Sequence, residues 1–249
     1  MQYKRVKFQL DSILEHLILR DFIENDPISI PHRFTKKEDI EIAAFFAAIL
    51  AWGQRKTIIK NANKLMHWMG EEPHRFILEH SDSELNKFDK FVHRTFNNTD
   101  ILYFMEVLKQ WYSDGKSLEV YFVGETMKDR ISNFHHSFFA FDFAPARTRK
   151  HIANPAKKSS AKRLNMFLRW MVRNDGLDFG IWKSIKPSEL MCPLDVHVQR
   201  AAFHFGLLTR KQQDWKAVEE LSDNLLKLDA IDPVKYDLAL FKWSEAKMD

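Results

Sequence analysis

The stretch "CPLDVHVQRAAFHFGLL", Cys192 to Leu208, puts a proline and an acid ahead of a segment with helical spacing. Pro193 and Asp195 read as a helix start. Val198, Ala201, Ala202 and Phe205 recur at the interval of one buried face, since residues three and four apart share a side of a helix. His197, Arg200 and His204 fall on another face, and Gly206 is a natural stop. Asp195 carries two readings at this point. It is an N-cap, accepting a backbone N–H from the first turn, or it is a carboxylate set at a helix start for chemistry.

Upstream lies "KKSSAKRLNMFLRWMVR", Lys157 to Arg173. Ser159 or Ser160 is the expected N-cap. Leu164, Phe167, Leu168 and Met171 form one apolar face, and Lys162, Asn165, Arg169 and Arg173 line up opposite. Nine Lys or Arg and no Asp or Glu occupy Arg147 to Arg173, although the whole chain is only +4. A basic stripe behind a Ser-rich turn offers a phosphate backbone N–H groups, hydroxyls and guanidinium forks. The plainer alternative is a surface helix with snorkelling cations.

Elsewhere the chain is punctuated by only 7 Gly and 8 Pro in 249 residues, with no Asn-Gly or Asp-Gly hairpin signal, and helical periodicity dominates. Gln9 to Ile23 reads as an amphipathic helix. Thr35-x-x-Glu38 has the form of a capping box ahead of "IEIAAFFAAILAW", which is apolar nearly all round and belongs in a core. "KTIIKNANKLMHWM" follows Gly53-Gln54, Asp100 caps "ILYFMEVLKQWY", and Ser222 to Leu228 is helical. The aromatic run "FHHSFFAFDF", Phe134 to Phe143, reads as core. The expected class is all-α, a single unit over 1–249 without repeats.

Several chemistries are excluded. One cysteine, Cys192, rules out an internal disulfide and any zinc or iron–sulfur site built on several thiolates. It reads as a small packing residue. His135, His136 and His151 lack a metal-ligand spacing, and no Gly-rich phosphate loop is present. No metal and no cofactor is therefore expected. Without a signal-peptide pattern or an apolar run of roughly 20 residues, the expectation is a cytoplasmic protein with no membrane partner.

"PLDVHVQRAAFHFGLL" resembles the Pro-x-Asp-x-His-Val-x-Arg segment of the helix-hairpin-helix DNA glycosylase superfamily. "AAFFAAILAWGQRKTIIKNANKLM", Ala43 to Met66, resembles the early helix–turn–helix of that fold, with Gln54 in its turn. "SSAKRLNMFL" looks like the hairpin-to-helix junction where bifunctional members carry a nucleophilic lysine, and Lys162 matches it. The resemblance is remote, nearest to the archaeal 8-oxoguanine branch. The chain as a whole looks closest to an uncharacterised bacterial family known as a domain of unknown function.

The resemblance implies two helical lobes with a cleft between them. It also implies base excision from damaged or distorted DNA, 8-oxoguanine for instance, with or without lyase activity. Asp195 and Lys162 would be catalytic. Lys158, Ser159, Ser160, Arg163, Asn165, Arg169, Arg173, His197, Arg200 and Gln54 would face DNA. The superfamily's hairpin carries glycines whose amides hold a phosphate, and Lys158 to Ala161 contains none. Two other readings stay open: a DNA- or RNA-binding module without chemistry, and a helical interaction protein whose cations meet an acidic partner.

Overall fold

A computed structural model describes residues 2–247. The chain is mostly helical. Its α-helices, in order, are α1 Gln2–Glu15, α2 Leu19–Glu24, α3 Lys37–Leu50, α4 Arg55–Trp68, α5 Pro73–Glu79, α6 Asp82–Leu85, α7 Asn98–Ser113, α8 Met127–Phe138, α9 Lys162–Val172, α10 Val196–His204, α11 Trp215–Leu226 and α12 Tyr236–Glu245. One hairpin that the sequence did not announce pairs β1 Val92–His93 with β2 Phe96–Asn97. Its turn is made by Arg94 at φ +57° in place of a glycine. Among the described residues no helix is long and apolar enough to cross a membrane.

The chain divides into two compact units, one of residues 23–124 and 130–153, the other of residues 1–22, 125–129 and 154–249. The first is organised around α3, in which every residue from Ile40 to Leu50 is buried. Phe45 stacks on Phe104 with centroids 5.6 Å apart, and Phe134 and Phe138 close the cluster at 5.9 Å each. The aromatic run is core at Phe134, Phe138 and Phe139, and Phe143 alone among these four phenylalanines is exposed. Each ring so buried contributes about 1.5–3 kcal/mol relative to exposure. Between α3 and α4 the chain turns at Gly53, φ +107°, where an added Cβ would sit 3.1 Å from the Arg94 side chain.

Two acids in this unit do more than the sequence suggested. Glu41, buried in α3, accepts hydrogen bonds from Tyr112 Oη at 2.8 Å, Ser117 Oγ at 2.5 Å and the Leu118 N–H at 3.4 Å. Asp100 is the third residue of α7 and not its cap. Asn97 caps, and Asp100 accepts from the Asn97 N–H at 2.9 Å. The same carboxylate accepts from Thr148 Oγ1 at 2.7 Å and Arg147 at 2.5 Å, and His151 Nε2 lies 3.3 Å from it. Burial opposes its charge, but the bonds from His151, Thr148 and the Asn97 amide outweigh that and bring its pKa down to about 2.

Some helix ends depart from expectation. The Gln9 to Ile23 helix is broken, with α1 ending at Glu15 and α2 starting at Leu19. No glycine or proline marks the break, and periodicity identifies faces and not ends. The Thr35 capping box does not form, because α3 begins one residue later at the Lys36 cap, which has no side-chain bond.

In the second unit α9 is enclosed, with Leu164 to Arg173 buried except Met166. α12 packs against both α10 and α1. Val198, Ala201, Ala202 and Phe205 of the opening stretch are buried as their spacing requires. Gly206, φ +66°, ends α10. There the Leu207 N–H reaches the Ala202 carbonyl at 2.8 Å, a closure that needs a left-handed residue between them.

Candidate functional site

The approach to α9 is a tight reversal. Asn154 accepts from the Ala156 N–H at 2.9 Å and opens a 3-10 turn over Pro155–Lys157. Lys158 at φ +67° and Ala161 at φ +47° are both left-handed. Between them Ser159 pairs with Asp214 in an isolated antiparallel bridge. A left-handed residue with a Cβ costs about 1–2 kcal/mol. The backbone thus takes at residues 158 and 161 the conformation that glycine usually supplies, without a glycine. Neither serine caps α9: Ser159 Oγ accepts from the Ala161 N–H at 3.2 Å, and the cap residue is Ala161, with no side-chain bond.

Lys162 is therefore the first residue of α9, and Asp195 caps α10. Asp195 Oδ1 accepts from the N–H groups of His197 and Val198, each at 2.9 Å. Its Oδ2 lies 3.4 Å from Lys162 Nζ. The two readings of Asp195 are thus compatible, because one oxygen serves the helix and the other faces a cation. The amino end of a helix favours negative charge, and Asp195 supplies it at the start of α10. The side chains are 31% and 21% exposed, so solvent and solutes can reach the pair.

The basic stripe requires correction. Arg169 and Arg173 are 4% and 3% exposed, and they face carboxylates, not solvent. Arg169 meets Asp237 at 2.5 Å and Asp178 at 3.4 Å. Arg173 meets Asp178, Asp232 at 2.8 Å and Asp175 at 2.9 Å. Counting acids only within 147–173 hid these partners, which come from later in the chain. Asn165 is also buried, giving its Nδ2 to the Ser160 carbonyl at 3.1 Å. These three side chains are not on a DNA-facing surface.

Burial dominates two acids of this network, Asp178 and Asp237. It raises Asp178 to about 6, against the pull of Arg169 and Arg173. It raises Asp237 too, with the Asp195 charge adding to the effect and Arg169 opposing it. Cys192 is fully buried and its thiol is pushed up by burial, then by Asp237. Its Sγ lies 3.8 Å from Asp237 Oδ1, and its N–H donates to Ser222 Oγ at 3.0 Å. It is the packing residue its surroundings in the sequence suggested. Asp237 and Asp178 escaped the sequence reading, although an acid within "KYDLALF" is the kind of interruption that marks a buried partner.

The other expected residues scatter. Lys158 and Arg200 are exposed, and Ser159, Ser160, Arg163 and His197 are half-buried. Burial lowers Arg163 to about 10. The His197 ring meets Phe241 at 5.4 Å, and its Nδ1 has no hydrogen-bond partner among the described residues. Gln54 caps α4 in the other unit, without a side-chain bond. Among the described residues no cluster of His, Cys, Asp and Glu could hold a metal ion.

A family model described as "Protein of unknown function (DUF2400)" matches residues 26–245. No curated protein and no solved structure matches the chain.

Proposed function

We propose that this chain, which belongs to the DUF2400 family, is a DNA base-excision glycosylase with an associated lyase step, Lys162 being its nucleophile and Asp195 its carboxylate. The observation that carries this reading is the 3.4 Å approach of Lys162 Nζ to Asp195 Oδ2 at a solvent-reachable junction of two helix starts. A base must leave the stack to be reached, at a cost of a few kcal/mol, least for a damaged or mispaired one. Lys162 passes a proton to Asp195, and its free amine attacks C1′. The C1′–N bond breaks, its electron pair departs with the base, and the base takes a proton. The sugar then opens at C1′–O4′, O4′ takes up a proton, and a Schiff base joins Lys162 to the DNA. Asp195 hands the Lys162 proton on to the departing base and so regains the negative charge that stabilises the cationic sugar.

With Arg169 and Arg173 internal, phosphate contact falls to Lys158, the residue 158–161 turn, Arg163 and Arg200. The test uses duplexes carrying oxidised, alkylated or deaminated bases, 8-oxoguanine first, with borohydride to reduce the Schiff base. A trapped protein–DNA adduct that disappears in Lys162→Ala is expected. An adduct that persists in that variant, or a protein inert on every lesion, overturns the proposal.

A DNA- or RNA-binding module without chemistry is the second reading. It is favoured by the turn before α9, where Lys158 to Ala161 contains none of the glycines the superfamily's hairpin carries. Binding that weakens with salt while every lesion stays intact would select it.

A further inference from the structure

An exposed basic row lies on α4, in the unit that does not contain Lys162 and Asp195. This helix carries four Lys or Arg and no Asp or Glu. Lys56, Lys60 and Lys64 recur one turn apart, on the side opposite the buried Ile58, Ala62 and Leu65. All three are exposed. Among the described residues none of them makes an ion pair or a hydrogen bond, and Lys64 rests over the Trp68 ring at 4.3 Å. The arginines of α9, by contrast, are enclosed by carboxylates. Arg94, exposed in the β1–β2 turn, extends the row at its amino end. Its guanidinium lies 4.9 Å from the Trp52 ring, and its side chain 3.1 Å from where a Cβ on Gly53 would stand, next to the Gln54 cap of α4.

We propose that this face of α4, with Arg94 at its head, docks on the phosphate backbone of duplex DNA without reading its sequence. Like charges one turn apart repel and weaken the helix that carries them. A partner with closely spaced negative charge relieves that repulsion. From the Gln54 cap to Lys64 the row is about 15 Å long at 1.5 Å per residue, and duplex DNA carries one charge per ~1.7 Å of its axis. The exposed residues of α4 are Arg55, Lys56, Thr57, Lys60, Lys64 and His67. They include no Phe, Tyr or Trp on which an unpaired base would stack, and no apolar side chain to enter a lipid surface. Contacts to phosphate position a protein and carry no sequence information. The inference goes beyond the base-excision reading, because Lys162 and Asp195 take no part in it.

The test measures binding of the full chain to a lesion-free, end-labelled DNA duplex by fluorescence anisotropy, between about 50 and 200 mM salt. Lys56→Gln with Lys60→Gln and Lys64→Gln should flatten the slope of log K against log salt by about 2–3, at roughly 0.9 per lost phosphate contact. The loss of affinity should be about equal on unrelated sequences. The charge-matched control is Lys7→Gln with Lys87→Gln and Lys116→Gln, lysines that each lie within 3.8 Å of a carboxylate. It should flatten the slope by less than about 1. An unchanged slope in the α4 variant, an equal fall in the control, or a parent that binds no duplex overturns the proposal. A parent that binds phosphatidylserine vesicles through these lysines but no duplex also overturns it, in favour of a membrane surface. If the triple variant fails to fold, Lys60→Gln alone carries the same outcomes, with an expected change of about 0.9. Because the duplex holds no lesion, a parent inert in base excision leaves this proposal standing, and an unchanged slope leaves the roles of Lys162 and Asp195 untouched.

Discussion

Asp195→Asn separates structure from chemistry, because the two carboxylate oxygens have different partners. The Asn carbonyl can still accept from His197 and Val198, so the cap bonds at 2.9 Å survive. What goes is the contact with Lys162, an ion pair between side chains 31% and 21% exposed. Pairs at such exposure are worth roughly 0.2–1 kcal/mol. The expected loss is therefore under about 1 kcal/mol, a shift of no more than about 2–4 °C in Tm for a chain of this size. Asp195→Ala removes the cap as well and should cost about 1 kcal/mol more. Catalysis should respond in the opposite proportion, since an amide supplies no charge to a cationic transition state. A fall of about a hundredfold or more in single-turnover excision is expected for both variants, by analogy with the loss of one preorganised electrostatic group. Urea denaturation and a gel-based excision assay on the same preparations make the comparison. If Asp195→Asn destabilises as much as Asp195→Ala, the division of labour between Oδ1 and Oδ2 is wrong. If it excises at the parent rate, Asp195 is only a cap.

Other consequences follow from the buried charges and the turn. Arg173→Gln removes the cation shared by Asp175, Asp178 and Asp232 and should cost about 3–5 kcal/mol by chemical denaturation; a loss below about 1 kcal/mol would mean that the arginine is solvated. Asp100, held at about 2 in the folded chain against an ordinary value of 3.8, contributes stability that is present above pH 3.8 and lost as the pH falls through 2. That contribution is about 1–2 kcal/mol after allowing for the exposed end of Arg147, and Asp100→Asn should abolish this part of the acid dependence in denaturation profiles between pH 5 and 2. Lys158→Gly removes a left-handed Cβ at an exposed site and should raise stability by up to about 1 kcal/mol. A measured decrease would show that the lysine side chain itself holds the turn.

The sequence by itself determined what repeats along a helix or sits within one turn of it. The apolar spacing in α10, the all-round apolar character of α3, the Gly206 stop and the cap position of Asp195 are local, so neighbouring residues suffice to fix them. Helix boundaries were less legible where no glycine, proline or capping side chain marks them, as between α1 and α2 and at Ala161. The left-handed backbone at Lys158 and Ala161 was hidden because residue type alone signals glycine at such positions. The meaning of the basic segment was decided only by tertiary structure. Arg169 and Arg173 share their helix faces with Lys162, and periodicity alone reads that as a solvated stripe. Their partners arrive from Asp175, Asp178, Asp232 and Asp237, which enter only when the loop after α9 and the start of α12 fold against it. The approach of Lys162 to Asp195 has the same origin: 33 positions of chain separate the two residues, and only the packing of the elements between them brings amine and carboxylate to 3.4 Å.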